Sequence, residues 1–494
     1  MKRLLALVLI LAATQASAQF VKQKLIVPPR FLPLYDSSRT IMLPAEYQIQ
    51  VFYAGSPFVR PRFMAMGPNN TIYIADLTPG RIYAIEDTNR DGVADTARLA
   101  SMVVDSAHSL AFHDNALYVA IPDGVRKFRD TDHDGFYETE DPFISGIGAT
   151  GVYNHFTRTV LFDTLSRCVY LGVGASCNAC RESDTERAAI LRFNLDGSGK
   201  SIYASGLRNP LGLAINPVNS KLWCANADRD GLSDSTPPEI ITSVTPSGFY
   251  GWPFAYGTGQ WDNFQARPEY TAMLPITASD SARVASMTVG DLQLVAHCTP
   301  MAIMFYRDPR IYIKPPPQTA LVAIHGSSPG GRSIAVGYKV IQLTFDDAGR
   351  LDSTSDFLTG FLTDSINYKF WGRPCGLVQD SAGDIYLSSD LGIPAIYRIC
   401  LRNSSSVGSP KPLPASISVY PNPASDLISV SLPSNLVDAH SRLQLLDALG
   451  RTIRQIQFDR SPISIDVHDI ANGQCFLRVV GGESSITCPI VIAK

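Results

Sequence analysis

The sequence predicts an all-β fold, a six-bladed β-propeller followed by a small β-sandwich. Two observations lead to this prediction. Short β-rich runs separated by Gly, Pro, Asn and Asp recur throughout the chain, whereas helical periodicity is scarce. One phrase, made of an apolar run, a turn and an aromatic-containing run, also returns six times between residues 41 and 402. Repeats that each supply several antiparallel strands are typical of propeller blades.

Each copy of the phrase predicts the first two strands of one blade, and a further apolar run after most copies predicts the third. A β-helix would need shorter repeats, and paired sandwiches would not explain six copies of one hairpin. The propeller is therefore preferred to both. The predicted hairpins are RFMAMGPNNTIYIAD at 62–76, HSLAFHDNALYVA at 108–120, RTVLFDTLSRCVYLGVG at 158–174, PLGLAINPVNSKLWCAN at 210–226, MAIMFY and ALVAIHG within 301–326, and PCGLVQDSAGDIYLSSD at 374–390.

The two ends of the chain differ in composition from the propeller. Residues 1–18 contain two basic residues, a short apolar run and a final A-x-A, which predicts a signal peptide cleaved after Ala18. Residues 403–416 are rich in Ser and Pro and predict a linker. Residues 417–494 alternate again between apolar and polar positions, which predicts a sandwich of about seven strands.

Composition excludes several functions. The chain is 45% hydrophobic and 18% charged, and its net charge of -3 at pH 7 gives no field that would attract nucleic acid or anionic lipid. No segment after the leader reaches the roughly 18 unbroken apolar residues of a membrane helix. We therefore expect an exported, soluble protein with neither a nucleic-acid partner nor a transmembrane segment.

Cysteine is used sparingly and in an odd number. The chain has nine cysteines, so at least one thiol is expected to lack a partner within the chain. Cys177 and Cys180 form the one close pair. A C-x-x-C can be a redox motif, half a zinc site or a local bridge, but no second C-x-x-C or H-x-x-x-H completes a zinc site. In an exported protein a structural bridge is favoured over redox chemistry.

Two loops carry side-chain oxygens at alternate positions followed by glycine, DTNRDGVAD and DTDHDGFYETE. Oxygen ligands at positions 1, 3 and 5 with glycine at 6 suit a calcium ion, but neither loop has the glutamate at position 12 of an EF-hand. A weak structural calcium site and a solvated acidic turn both stay open, because Asp-Gly also favours turns. The candidate ligands are Asp87, Asn89, Asp91, Asp130, Asp132 and Asp134.

A series of motifs resembles one enzyme family. The order is H-x-x-R before a strand (His155, Arg158), the loop GASCNAC at 174–180, GLRNPLGLA with Arg208 and Asn209, an acidic loop leading into Pro-Pro-Glu, and GFYGWP. In this order the motifs resemble the soluble sugar dehydrogenases that depend on pyrroloquinoline quinone (PQQ). These form the glucose and sorbosone dehydrogenase family of six-bladed propellers. Weaker matches are His297 in AHCTPMAIMFY, the IHG at 324–326, Lys339 in GYKV and Arg373 in GRPCGL.

The resemblance implies oxidation of a sugar or a related aldehyde by hydride transfer, with PQQ and Ca²⁺ as cofactors. It implies His155 as the catalytic base, together with Arg158, and histidine suits this role because its pKa lies near neutral pH. The residues implied to bind the quinone are Arg208, Asn209, Arg373 and Lys339, the two arginines as bidentate partners of its carboxylates. The calcium ligands implied by the family lie in the loop 226–239 and are Ala227, Asp228, Asp230, Asp234 and Glu239.

Two other functions compete with the dehydrogenase. A non-catalytic surface propeller that binds a glycan or a protein stays open as the alternative. A calcium-dependent lactonase would need Glu, Asp and Asn from several blades around one metal at the funnel centre, and the sequence does not supply a convincing set. Convergence of His155, Arg208 and Arg373 on one central funnel is expected of the dehydrogenase.

The C-terminal residues resemble a different family. YPNPASD at 420–426, LLDALGRTI at 445–453, DIANGQCFLRV at 469–479 and a last strand ending in Lys closely resemble the C-terminal sorting domain of the type IX secretion system of Bacteroidota. The resemblance implies passage through the type IX secretion machinery and a location at the cell surface or outside the cell. A carbohydrate-binding sandwich is disfavoured because the segment has few aromatic residues.

Overall fold

The structure is a computed structural model of the chain. It divides into two compact units, residues 1–404 and 405–494. The predicted signal peptide, residues 1–18, and the predicted linker, residues 403–416, lie outside the described residues. The described residues are 19–36, 38–78, 80–148, 155–306, 318–402, 418–420, 424–432, 442–446, 451–458, 461–481 and 484–492.

The first unit consists almost entirely of short strands. Its helices are α1 (Ala278–Ala285) and the 3-10 helices Pro29–Leu34, Pro68–Asn70, Phe264–Ala266 and Pro268–Met273. Its strands are β1 (Phe20–Lys24), β2 (Thr40–Pro44), β3 (Tyr47–Ala54), β4 (Pro61–Met66), β5 (Ile72–Asp76), β6 (Arg81–Glu86), β7 (Thr96–Leu99), β8 (Ser109–His113), β9 (Ala116–Ile121), β10 (Gly124–Arg129), β11 (Thr139–Ile144), β12 (Arg158–Asp163), β13 (Cys168–Val173), β14 (Ala189–Asn194), β15 (Ser201–Ser205), β16 (Asn209–Ile215), β17 (Leu222–Ala227), β18 (Glu239–Ser243), β19 (Ala255–Tyr256), β20 (Gln260–Trp261), β21 (Leu292–Leu294), β22 (Pro300–Tyr306), β23 (Gln318–Ile324), β24 (Lys339–Phe345), β25 (Leu351–Leu358), β26 (Leu362–Asp364), β27 (Lys369–Phe370), β28 (Gly372–Gln379), β29 (Ile385–Gly392) and β30 (Ala395–Leu401).

Six four-stranded antiparallel sheets form the blades of a propeller. In chain order, blades 1 to 6 are β4–β7, β8–β11, β12–β15, β16–β18 with β21, β22–β25, and β28–β30 with β3. Their first strands, β4, β8, β12, β16, β22 and β28, pack against one another in a closed ring. The predicted all-β class is confirmed, and each predicted hairpin forms the first two strands of one blade.

The last blade joins the two ends of the propeller. Its first three strands come from the C-terminal side of the unit, whereas its outermost strand, β3, comes from the N-terminal side. Strand β3 pairs antiparallel with β30, with Ile49 opposite Ile399 and Val51 opposite Tyr397. Hydrogen bonds between distant segments therefore close the ring.

Strands inside the blades read as continuous apolar runs because each blade packs against a neighbour on both faces. All six residues of β9 and all six residues of β13 are buried. One apolar cluster contains Tyr118 of blade 2 together with Val160 and Leu191 of blade 3. The packing between neighbouring blades thus forms the core, and it holds the ends of the first strands in fixed positions.

The antiparallel order decides on which face each loop lies. The start of every first strand and the loop between the second and third strands lie at one end of the blade, which we call the upper face. Loops that join the third strand to the fourth lie on the opposite face. The long loops of the upper face are 174–188, 228–238 and 325–338, in blades 3, 4 and 5.

Residues 244–291 form an insertion in blade 4 between β18 and β21. It contains α1, which starts at a capping box between Thr277 and Asp280. Phe249, Phe254 and Met273 belong to a small core within the insertion. In the described part of the chain no helix is long and apolar enough to cross a membrane.

Among the described residues, the second unit has seven strands. They form a three-stranded sheet in the order β31-β32-β35 and a four-stranded sheet in the order β34-β33-β36-β37, and both sheets share one apolar core. The strands are β31 (Ser418–Tyr420), β32 (Leu427–Ser431), β33 (Arg442–Leu446), β34 (Thr452–Gln457), β35 (Ile463–Asp466), β36 (Gly473–Gly481) and β37 (Ser484–Ile492).

Candidate functional site

A basic or titratable side chain stands at or near the start of every innermost strand. Because all six first strands start on the upper face, these side chains lie around the upper end of the ring that the first strands form. They are Arg60 and Arg62 at β4, His108 at β8, His155 and Arg158 at β12, Arg208 at β16, His297 at β22, and Arg373 at β28.

His155 is held in one tautomer by the backbone of blade 3. Its Nδ1 donates a hydrogen bond to the carbonyl of Ala175 at 2.9 Å. A carbonyl can only accept, so the proton lies on Nδ1 and the lone pair on Nε2. Burial, followed by the positive charge of Arg208, lowers the pKa of His155 to about 3. The imidazole is therefore neutral at physiological pH and presents an acceptor.

Arg158 holds the segment that carries His155, and Asn209 begins the neighbouring strand β16. The guanidinium of Arg158 is buried and donates to the carbonyls of His155 at 2.8 Å and Thr157 at 3.0 Å. The backbone N–H of Asn209 donates to Asn226 Oδ1 at 3.0 Å. The sequence predicted Arg158 as catalytic, but these contacts give it the role of fixing the segment that carries His155.

Gly174 lies where a side chain would collide with this arrangement. A Cβ at this position would lie 2.5 Å from the Cβ of His155 and 2.6 Å from Asn209 Oδ1. We expect Gly174→Ala to displace His155 and to destabilise the protein by about 1–3 kcal/mol through overpacking. Denaturant unfolding measures the loss of stability, and the NMR chemical shifts of the His155 ring measure its displacement. Gly331→Ala is the control, since its Cβ would meet only Ser328 O at 3.4 Å.

Arg208 connects blades 3 and 4 beside His155. It is 4% exposed, and Nη1 donates to Asp228 O at 2.7 Å. Nη2 donates to Asn178 Oδ1 at 2.7 Å and to Asp230 Oδ2 at 3.2 Å, and Nε donates to Asn178 O at 3.2 Å. Each of its nitrogens already has an acceptor. The predicted bidentate grip on a quinone carboxylate therefore finds no free pair of donors, and Arg208 contributes its charge instead.

Arg373 of blade 6 is engaged only in part, because its Nη1 has no hydrogen-bond acceptor among the described residues. Its Nε donates to His325 O at 3.1 Å, its Nη2 donates to Gly326 O, and the guanidinium lies 5.2 Å from the centre of the Tyr338 ring. Lys339, by contrast, pairs with Asp356 of the outermost strand of blade 5 at 2.6 Å. The structure thus directs Lys339 to the edge of its blade, away from the cluster around His155.

The predicted calcium loop is only partly assembled. Glu239 is 2% exposed, and burial raises its pKa to about 8. Its carboxylate accepts the backbone N–H of Asp228, and burial also raises the pKa of Asp228. Ala227 is buried at the end of β17, next to these acids. Glu239 and the half-buried Asp228 thus form an acidic pair near Arg208.

The other two carboxylates of this loop have protein partners. Desolvation opposes ionisation of Asp230, but His297, whose Nδ1 lies 3.5 Å from Asp230 Oδ1, and the charge of Arg208 outweigh it and lower the pKa of Asp230. The same contact raises the pKa of His297, whose Nε2 lies 2.8 Å from Ser233 O. Asp234 accepts the backbone N–H of Ser333 at 3.0 Å. Asp234 therefore belongs to the contact with the loop of blade 5 and does not meet Glu239.

A buried network that the sequence did not predict links blades 5, 6 and 1. Asp390 lies 2.7 Å from His325 Nε2 and 2.9 Å from Arg62 Nε. Desolvation opposes ionisation of Asp390, but the charge and hydrogen bond of His325 and the charge of Arg62 lower its pKa. Burial lowers the pKa of His325 to about 4.

Replacement of Asp390 is expected to be strongly destabilising. Asp390→Ala leaves Arg62 and His325 buried without their acceptor, which costs about 3–5 kcal/mol for a broken buried pair. Asp356→Ala removes the exposed partner of Lys339 and is expected to cost about 1 kcal/mol or less. Guanidinium unfolding of both variants measures the difference, and equal losses would contradict the network's role.

The close cysteines form the expected bridge. Cys177 and Cys180 are disulfide-bonded. Among the described residues, three groups bring possible metal-ligating atoms within 4.8 Å of one another: Cys177, Cys180 and Glu182; His325, Cys375 and Asp390; and Asp130, Asp132 and Glu138. The first includes the bridged cysteines, and the second includes a carboxylate already paired with arginine.

The two acidic loops, 87–95 and 130–138, lie on the face opposite His155, because both join a third strand to a fourth. Asp87 accepts the backbone N–H of Gly92 at 2.8 Å, and Asp130 accepts that of Gly135 at 2.9 Å. Asn89, Asp91, Asp132 and Asp134 likewise accept backbone N–H groups of their own loops. The loops are closed acidic turns, and calcium binding by them stays a prediction.

Comparisons with known proteins agree with this fold. The calcium structure of the Trichoderma reesei carbohydrate-active enzyme of family AA12 has a TM-score of 0.60 and 18% identity, and the match covers 75% of this chain and 99% of that one. The holo form of the pyranose dehydrogenase PQQ domain from Coprinopsis cinerea has a TM-score of 0.59 and 18% identity, covering 76% and 100%. An uncharacterized protein of Borreliella burgdorferi is 24% identical over 379 residues, 74% of this chain and 92% of its own.

The fold and these similarities define a class, that of six-bladed β-propellers. Residues 41–397 match the family described as TrAA12-like, and the chain belongs to that family. Residues 418–493 match the secretion system C-terminal sorting domain, which is the predicted sorting domain of type IX secretion.

Several residues of the site were missed or undervalued in the sequence. They are Arg60, Arg62, His108, Asn178, His297, His325 and Asp390. A usable signal existed, because segments such as RPRFM, LRNPLGLA and GRPCGL all place a basic residue at the start of a first strand. Aligning the six copies on this position would have marked most of the ring of basic and histidine residues.

Proposed function

We propose that the protein is an exported PQQ-dependent dehydrogenase that oxidises a sugar or a related aldehyde, with His155 as the base. The observation that carries the proposal is the state of His155. Its Nδ1 proton is committed to Ala175 O, its Nε2 carries a lone pair, and it lies beside Arg208 at the start of an innermost strand.

The proposed reaction removes two hydrogens from one carbon and its oxygen. Nε2 of His155 accepts the proton of the substrate hydroxyl, and the hydrogen on carbon leaves with its electron pair. PQQ, when bound, supplies the two-electron acceptor for that hydride. Ala175 O keeps the imidazole oriented and stabilises the imidazolium that forms after proton transfer.

The residues around His155 fit an anionic quinone. Arg208 and Arg373 have donors directed at main-chain carbonyls and, for Arg208, also at Asn178 and Asp230. Arg208 therefore supplies fixed positive charge without a free donor fork, whereas Nη1 of Arg373 keeps its N–H groups available to a bound anion. Arg60 and Arg62 add to this charge from blade 1, and Asn209 would help to line the pocket. Negative charge on a cofactor close to Arg208 would also raise the pKa of His155 and strengthen it as a base.

The residues fit a divalent cation as well. Glu239 and Asp228 are two acids whose pKa values burial raises, so a bound Ca²⁺ would offset the cost of their ionisation. Main-chain oxygens near Ala227 and Asp228 would complete the ligands, and Asp230 would contribute only by leaving its partners Arg208 and His297. Ca²⁺ at this position would polarise an adjacent oxygen atom.

The sorting domain supports a location at the cell surface or outside the cell, reached through the type IX secretion machinery. The N-terminal 18 residues would serve as the signal peptide for the first export step. An exported dehydrogenase would meet sugars outside the cell, and its electron acceptor would have to be available there.

Cofactor titration tests the proposal. The purified mature protein with Ca²⁺ is expected to bind PQQ in an absorbance titration and to reduce an artificial dye when aldoses are added. The same protein without quinone is the baseline. Absence of quinone binding, together with no rate above that baseline across a panel of sugars and aldehydes, would favour the alternative of a binding propeller.

A further inference from the structure

The short loop closed by the disulfide contacts both sides of the candidate site. Ala175, just before the loop, accepts from His155 Nδ1, and its own N–H donates to Arg208 O at 2.7 Å. Within the loop, Asn178 contacts Arg208 and the loop of Asp230. One segment of seven residues, 174–180, thus connects the proposed base with the arginine beside it.

Asn178 uses all of its side-chain hydrogen-bonding capacity in these contacts. Its Oδ1 accepts from Arg208 Nη2 at 2.7 Å and from the backbone N–H of Asp230 at 2.9 Å. Its Nδ2 donates to Asp230 O at 2.9 Å and to the hydroxyl of Tyr270 at 2.6 Å. An amide side chain has two acceptor sites and two donors, so all four are occupied.

The surroundings hold Asn178 in this position. Its main-chain carbonyl accepts from Trp252 Nε1 at 3.0 Å and from Arg208 Nε at 3.2 Å. Cys177 and Cys180, on either side, pack against the buried ring of Trp252. At the end of the loop Arg181 forms an ion pair with Asp280 of α1 at 2.7 Å. The disulfide and the insertion 244–291 therefore limit the movement of Asn178 from two directions.

We propose that Asn178 is a positioning residue that orients Arg208 and the Asp230 loop, and that the Cys177–Cys180 disulfide holds it in place. The importance of this role for catalysis rests on the proposed function, because Arg208 and Asp230 flank His155. Without Asn178, Arg208 loses the acceptor for Nη2 on that side and the N–H of Asp230 loses its partner. The site then keeps its residues but loses their fixed orientation.

Hydrogen exchange of the cofactor-free protein tests the positioning directly. Asn178→Ala is expected to speed amide exchange in residues 228–234, because the Asp230 N–H loses its acceptor, while exchange in the innermost strands stays unchanged. Cys177→Ser with Cys180→Ser is expected to speed exchange in residues 174–182 and 228–234. Asn367→Ala, which removes an exposed bond to Asp364, is the matched control and is expected to change exchange only near its own turn.

Cofactor binding provides the second measurement. Asn178→Ala removes a charge-assisted hydrogen bond that holds the Arg208 guanidinium in place. Because such a bond is stronger than one between neutral groups, the variant is expected to bind PQQ about tenfold more weakly than the wild type. The kcat at saturating quinone is expected to change by less than about threefold, since the bond from His155 to Ala175 remains. A thiol reductant added to the wild type is expected to reproduce the effect of the cysteine variant.

The results separate this inference from the proposed function. Unchanged exchange in residues 228–234 in both variants would overturn the inference, whatever the enzyme binds. If the wild type binds no quinone, the proposed function fails and hydrogen exchange alone decides the role of Asn178. If Asn178→Ala loses its fold, the cysteine variant and the reductant decide between the same two outcomes.

Discussion

His155→Ala is expected to lower kcat by at least about 100-fold, the usual contribution of a positioned general base. PQQ binding is expected to persist, because the charges of Arg208 and Arg373 remain. Stopped-flow dye reduction with a saturating sugar measures the rate, and the absorbance titration measures cofactor binding. His133→Asn is the control, since His133 is an exposed residue with positive φ on the opposite face, where asparagine is tolerated. Full activity of His155→Ala would remove His155 as the base.

Glu239→Gln is expected to abolish Ca²⁺ binding while leaving the protein folded. The substitution removes the buried charge but keeps an oxygen that can accept the N–H of Asp228. We expect the variant to lose the stabilisation that Ca²⁺ gives to the wild type, and with it calcium-dependent activity. Melting temperatures with Ca²⁺ and with a chelator measure this effect. A variant that is still stabilised by Ca²⁺ as strongly as the wild type would show that the ion binds elsewhere.

The pH dependence of stability in the calcium-free protein shows whether Glu239 stabilises or destabilises the fold. The pKa of Glu239 is about 8 in the folded chain, above the model-compound value of 4.5, so the folded state resists its ionisation. The wild type therefore loses stability as pH rises from about 4.5 to 8, whereas Glu239→Gln does not. Near pH 7 the variant is expected to be more stable by about 3 kcal/mol. Asp228, Asp230 and Arg208 face Glu239, so unfolding curves of both proteins should be compared at each pH.

The blades could be predicted from the sequence because each depends on local signals. A hairpin of two apolar runs and a turn is encoded within about 15 residues, and the chain repeats it six times. Closure by β3 could not be predicted in this way, because its partner β30 lies some 350 residues away. The insertion 244–291 was also missed, since its two strands are each two residues long and its one α-helix has eight.

The sequence predicted which residues belong to the candidate site better than it predicted their contacts. His155, Arg208 and Glu239 stand in recognisable motifs, and all three lie on the upper face. Lys339 was directed elsewhere by the register of β24 and β25, which places Asp356 opposite Ile341, near the lysine. The hydrogen bonds that occupy the Arg208 guanidinium include one to Asn178, which lies 30 residues earlier in the chain. No local pattern predicts such a contact.

The ring closure by β3 and β30 bears on maturation of the exported protein. The last blade strand ends at Leu401, and the second compact unit starts at Ser405. A protease that cuts between them removes no strand from any blade, and cleavage after Ala18 likewise leaves β3 intact. The propeller is therefore complete before and after trimming at both termini, whereas a nascent chain that stops short of Leu401 lacks the partner of β3 and has an open ring.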